Sequence, residues 1–159
     1  MYQLIVPYPY LEIVPLLVSC RGYIFGGAIR DFIRGVEPAD IDVSVRDYET
    51  FYSGLTALGY VSSETDVTGI TMIKGNVIVQ VQELNDPDII VDINVAPDFD
   101  INMLAWDGEA IFNYQNPTFD VASTLSHIDT MCAEKIYPTE ERIQKMKNKG
   151  YTILENTYL

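Results

Sequence analysis

The spacing of apolar positions changes its period several times along the chain, and each change marks an expected element. Residues 1–6 are apolar, an edge strand or a packed N-terminal arm, broken at Pro7-Tyr8-Pro9. Leu11, Ile13, Val14, Leu16, Leu17 and Val18 suit a short buried helix over 11–20 in spite of Pro15. A strand over 23–25 runs into Gly26-Gly27, then a helix over 28–34. Ile29, Phe32 and Ile33 make the apolar face of that helix, and Arg30 and Arg34 share another. Gly35 and Pro38 stop it before a strand over 41–45. Asp47 can cap a helix over 47–58 whose apolar positions are Phe51, Leu55 and Leu58, closed by Gly59.

From residue 61 to 95 the period shortens to that of strands. Ile70 to Ile73 and the alternating Val77, Val79 and Val81 flank a Gly75-Asn76 turn. Asn85-Asp86-Pro87-Asp88 makes another turn before an apolar strand over 89–95, interrupted by Asp92. A strand over 110–114 follows. The chain then reads as a helix over 121–136, with Leu125, Ile128 and Cys132 on one side, and a second helix over 140–149 closed by Gly150. The pattern alone is an alternation of helices and strands, without internal repeats or low-complexity linkers.

Composition narrows the class. At 159 residues, 48% hydrophobic and 21% charged, the chain is expected to form one domain with a proper core. No apolar run is long enough to span a bilayer, and the N-terminus lacks a basic signal region. Cys20 and Cys132 stand in no metal-ligand spacing and read as reduced thiols of a cytoplasmic protein. The formal net charge of −13 argues against broad binding to nucleic acid, which needs a basic surface. Five of the ten basic residues nevertheless fall between Lys135 and Lys149, where local attraction of a polyanion is conceivable.

The candidate chemistry lies between residues 23 and 45. A helix entered through Gly26 and Gly27 presents unpaired N–H groups, which suit a phosphate. Asp40 and Asp42, two apart in an extended segment, point to the same side. Such carboxylates repel unless a cation lies between them, and a hard divalent ion such as Mg²⁺ is the natural third party. A phosphate cradle followed by a metal-binding pair is the minimal equipment for phosphoryl or nucleotidyl transfer. The plainer reading is a turn glycine pair and a hairpin with two solvated aspartates. Asp92 also needs a reason, because an acid within an apolar strand is costly unless paired, protonated or bound to metal. Its plainer reading is an edge-strand residue facing water. His127, the only histidine, has no partner at catalytic spacing and reads as a surface or core residue.

Gly26-Gly27-Ala28-Ile29-Arg30-Asp31, followed by Pro38-Ala39-Asp40-Ile41-Asp42-Val43, resembles the GGxxRD…PxDxDV signature of the CCA-adding enzyme and bacterial poly(A) polymerase family. The resemblance implies an α+β fold of the DNA polymerase β-like nucleotidyltransferase type, a mixed sheet flanked by helices. It implies a catalytic head over 1–120 and a short helical, neck-like extension over 121–159. Asp40, Asp42 and Asp92 would be the catalytic carboxylates and hold two Mg²⁺ ions; Gly26 and Gly27 would cradle phosphate while Arg30 supplies charge. Asp31 would fix Arg30 rather than touch metal. Residues 97–107, beginning Pro97-Asp98-Phe99-Asp100-Ile101-Asn102, resemble the family's RRDFTINALAYD segment, which implies that Asp98 and Asn102 are ribose contacts. Asp98 suits a helix N-cap as well. Ala96 and Pro97 stand where the family has paired arginines, which implies either weaker triphosphate binding or help from Arg30 or a late basic residue.

Arg142 to Ile153, RIQKMKNKGYTI, resembles the family's neck helix, and Arg142, Lys145 and Lys149 share a face that reads as solvated. The family's base-selecting EDxxR template is absent, and the resemblance covers the head and a stub of neck. The activity implied is transfer of a nucleoside monophosphate from a nucleoside triphosphate, ATP or CTP, to an acceptor hydroxyl such as an RNA 3′ end. An isolated chain this acidic would hold RNA weakly; a protein or small-molecule acceptor, a partner subunit that brings the RNA, or self-association would each compensate. The alternative, from another class, is a non-catalytic nucleotide-binding or regulatory subunit that kept the fold.

Overall fold

A computed structural model describes residues 4–66, 69–83, 97–115 and 119–156. Seven described strands form one mixed sheet in the order β3-β4-β5-β2-β1-β6-β7. Its strands are β1 (Tyr23–Phe25), β2 (Ile41–Val45), β3 (Val61–Asp66), β4 (Gly69–Lys74), β5 (Val77–Glu83), β6 (Leu104–Trp106) and β7 (Ile111–Asn113). Within this seven-stranded sheet β2 pairs with β5 in parallel, and the other described pairings are antiparallel. The strand expected over 89–95, with Asp92 in it, lies outside the described residues.

The centre of the sheet is fixed by burial. Ile41, Val43 and Val45 of β2 are fully buried, as is Val79 of β5, and their alternation leaves Asp42 on the other side of the strand. Helix α3 (Gly27–Arg34) packs on β1, β2 and β6 through Ala28, Ile29 and Phe32. Helix α4 (Tyr48–Ala57) is capped by Asp47, whose carboxylate accepts from Thr50 N at 3.2 Å, and buries Phe51 and Leu55. The expected N-terminal helix is two pieces, α1 (Tyr8–Leu11) and α2 (Val14–Ser19). Pro15 falls in the first turn of α2, where its missing N–H has no partner to lose. Leu16 of α2 lies so close to Gly54 of α4 that a Cβ there would come within 2.5 Å of it.

The C-terminal part departs from expectation in one place. Helix α5 (Val121–Asp129) ends seven residues before Ile136. Met131 takes a left-handed backbone (φ 57°), and the chain turns into strand β8 (Cys132–Glu134), parallel to β9 (Thr152–Leu154). Asp100 reinforces the turn from outside the helix: its Oδ1 accepts from Glu134 N at 2.9 Å, and its Oδ2 lies 2.6 Å from His127 Nδ1. His127 therefore ties α5 to the short 3₁₀ turn at Asp100–Asn102, which is a structural role. Helix α6 (Glu140–Asn148) is capped by Thr139 and anchored by buried Ile143 and Met146.

Candidate active site

Strand β1 delivers the chain into Gly26, whose φ of 80° and ψ of −147° belong to a region that essentially only glycine occupies. The turn is held by Gly26 N donating to Leu104 O at 2.9 Å and by Ile29 N donating to Gly26 O at 3.2 Å. Helix α3 starts at Gly27 with no side-chain cap, so the N–H groups of Gly27 and Ala28 are available to an anion. The antiparallel register sets Phe25 opposite Asp42. Asp42 consequently lies against the glycine turn, its Oδ2 3.9 Å from where a Gly26 Cβ would stand.

Two cavities meet there. The first, about 480 Å³, opens between Phe25, Asp98, Asn102, Tyr114, Tyr137 and Arg142. The second, about 250 Å³, has Asp40 and Asp42 on one side and Arg142, Lys145 and Lys149 on another. Gly27, Asp42 and Arg142 line both. Burial pushes the Asp42 carboxyl up to about 6, and the charge of Asp40 adds to it. Burial likewise pushes the Tyr114 hydroxyl up to about 12; Asp98 and Asp42 act in the same direction against a bond with Gln115.

A chain of polar contacts joins α3 to α6. Arg30, 3% exposed, donates from Nε to Asp31 Oδ1 at 2.9 Å and from Nη1 to Asn102 Oδ1 at 2.6 Å. Asn102 Nδ2 donates to Asp98 Oδ1 at 3.0 Å, and Arg142 Nε donates to Asp98 Oδ2 at 2.8 Å. The Tyr151 ring lies 5.8 Å from the Arg30 guanidinium. Arg30 and Arg34 do not share an environment, because one is buried in this network and the other is exposed. Asp31 pairs with Arg30 as the spacing suggested. Asp98 is not a helix cap: the 3₁₀ turn is preceded by Phe99 and has no side-chain cap.

The residues singled out from the sequence are therefore brought together: Gly26, Gly27, Arg30, Asp40, Asp42, Asp98 and Asn102 all line one or other cavity. Asp92 lies outside the described residues. Among the described residues no three His, Cys, Asp or Glu side chains form a metal-holding group. The pair at Asp40 and Asp42 still fits a hard cation, since it offers oxygen donors whose mutual repulsion a cation would relieve. Arg142, Lys145 and Lys149, read from the sequence as a solvated face, line the second cavity instead. The clustering of half the cations in one late stretch was the available signal.

No protein-family model matches the chain, and no curated protein matches it. Solved structures do. A tRNA-processing enzyme in its apo form I is 18% identical with a TM-score of 0.66 over 95% of this chain and 45% of that one. A CCA-adding enzyme in its apo form I is 17% identical, with a TM-score of 0.63 over 96% of this chain and 41% of that one. A CCA-adding enzyme in complex with CTP is 18% identical, with a TM-score of 0.57 over 83% and 35%. The chain spans less than half the length of these enzymes. The likeness shows the fold that the chain shares with these enzymes, a mixed sheet with flanking helices.

Proposed function

We propose that this chain, built on the fold it shares with the CCA-adding enzymes, is a metal-dependent nucleotidyltransferase. It moves a nucleoside monophosphate from a nucleoside triphosphate to an acceptor hydroxyl. The observation that carries the reading is the position of Asp42, with Asp40 beside it, against the Gly26 turn where two cavities meet. A nucleoside fits the first cavity, its base against Phe25, Tyr114 or Tyr137 and its ribose toward Asp98 and Asn102. The α-phosphate then falls at the shared rim, facing the N–H groups of Gly27 and Ala28.

Asp40 and Asp42, with Asp92 assigned from the sequence alone, would hold two Mg²⁺ ions. Bound there, Mg²⁺ would lower the pKa of the acceptor hydroxyl and neutralise charge on the leaving pyrophosphate. The carboxylates orient that chemistry, and the glycine turn lets the backbone approach phosphate without a Cβ in the way. Residues 1–120 are read as the catalytic head and 121–159 as a neck-like extension packed on it, through contacts of α5 with α3, β7 and the 3₁₀ turn. The acceptor proposed is an RNA 3′ end, gripped weakly by the isolated chain because its net charge is −13. A second subunit, of the same chain or a partner, would supply the missing grip. A cytoplasmic setting suits its two free thiols, and no described helix is long and apolar enough to cross a membrane.

ATP or CTP with Mg²⁺ should raise the melting temperature, and Asp42→Ala should remove most of that rise. Saturation at about a hundred times Kd corresponds to roughly 2.7 kcal/mol of stabilisation. Equal stabilisation in EDTA would contradict a metal-bridged site.

A further inference from the structure

Lys145 and Lys149 belong to α6, whose Met146 sulfur meets Arg30 of α3 and whose Arg142 pairs with Asp98. Its buried face is Ile143 and Met146, the latter fully buried. With that face inward, Arg142, Lys145 and Lys149, spaced three and four residues apart, line the cavity that holds Asp40 and Asp42. Arg142 has an anion of its own, Asp98, and Arg30 has Asp31. Neither Lys145 nor Lys149 makes an ion pair among the described residues, in a chain with 23 acidic and ten basic side chains.

We propose that α6 is a polyphosphate clamp: Lys145 and Lys149, with Arg142 at the rim, hold the β- and γ-phosphates of the nucleoside triphosphate. The inference rests on the nucleotidyl-transfer reading for the identity of the ligand, and on the cavity for the site. Gly27 and Asp42 line both cavities, so a nucleotide with its α-phosphate at their junction extends its remaining phosphates into the second one. Gly27 and Ala28, at the uncapped start of α3, line that cavity together with the lysines. The crowding of like charge points the same way. Partial burial lowers the Lys149 ammonium pKa, Arg30, Lys145 and Arg142 lower it further, and Asp31 alone opposes them. An anion among these cations would relieve that repulsion. Ala96 and Pro97 supply no cation before Asp98, and Arg30 of this cavity is paired with Asp31, so the cations without an ion pair there are those of α6.

The test uses the full chain and binding rather than turnover. Lys145 and Lys149 are exposed, so Lys145→Ala/Lys149→Ala should fold as the wild type does. Lys135→Ala/Lys147→Ala removes the same charge from residues lining neither cavity and is the control. Calorimetric titrations with Mg²⁺ would use inorganic tripolyphosphate, CTP, CMP and a short single-stranded RNA. The clamp double variant should lose at least about tenfold for tripolyphosphate and CTP, as expected for lost charge-assisted contacts, and little for CMP. The control should stay near wild type, and Lys145→Arg/Lys149→Arg should keep binding. Equal losses in clamp and control variants, or no tripolyphosphate binding by the wild type, would overturn the proposal. So would loss of RNA binding alone, which would give the face to an acceptor strand. Bound CTP that is never turned over would count against the transferase reading and leave the clamp standing.

Discussion

Asp42→Asn is expected to melt above the wild type in EDTA at pH 7.5, and to incorporate nucleotide at least about a hundredfold more slowly with Mg²⁺. The two effects have one cause. Burial, and then Asp40, raise the Asp42 carboxyl from 3.8 to about 6. Between those values the unfolded chain has released the proton and the folded chain still holds it. Stability at this group therefore falls as pH rises through that window and stays lower above it. A shift of this size corresponds to about 3 kcal/mol at most, and partial exposure reduces it to roughly 1–2 kcal/mol. Asparagine keeps the shape and removes the repelled charge, so the variant's advantage should shrink as pH is lowered toward 4. Excess Mg²⁺ should reverse the order, because the cation stabilises only the carboxylate pair. Melting curves from pH 4 to 8, with and without Mg²⁺, check this. A variant less stable than wild type in EDTA at pH 7.5 would show that Asp42 is not under repulsion.

Arg30→Met should cost about 3 kcal/mol of stability, the order seen when one member of a buried ion pair is removed. For a chain of this size that is a melting temperature lower by roughly 10 °C. The loss comes from what the guanidinium leaves behind: Asp31 without its partner, and Asn102 without its donor. Arg30→Lys should recover only part, since an ammonium cannot serve both acceptors with the planar fork that arginine offers. Arg30→Met/Asp31→Asn should be more stable than Arg30→Met alone, because it removes the abandoned charge. Nucleotide affinity should also fall in Arg30→Met, since Asn102 in turn positions Asp98. Urea unfolding of the four proteins measures the stability effects, and an Arg30→Met variant as stable as wild type would place Arg30 outside the network.

What could be read from the sequence was local. Gly26-Gly27, the stop at Gly35, the Asp47 cap and the alternation of β4 and β5 each rest on residues a few positions apart, and each stands in the structure. What could not be read depends on distant partners. Helical spacing puts Arg30 beside Arg34, yet Asn102, 72 residues away, draws Arg30 into the interior. The apolar spacing of Leu125, Ile128 and Cys132 continues a helix. The chain leaves it because β8 finds its partner in β9, about twenty residues on, and Glu134 N finds Asp100. Lys145 and Lys149 look like a solvated face in any local window. Only the docking of α6 through Ile143 and Met146 turns that face toward the carboxylates.

Nucleotidyl transfer carries the α-phosphorus to the acceptor and releases the β- and γ-phosphates together, so the position of an isotopic label distinguishes it from other phosphate chemistry. The wild type would be incubated with Mg²⁺, a mixed RNA acceptor and each nucleoside triphosphate, labelled in turn at the α- and γ-phosphate. Label from the α-position should enter the acceptor, label from the γ-position should leave as pyrophosphate, and Asp42→Asn should do neither. Acceptor labelled from the γ-position would make the chain a phosphoryl transferase. Tight triphosphate binding with no α-label in any acceptor would make it a nucleotide-binding subunit, and either result contradicts the account.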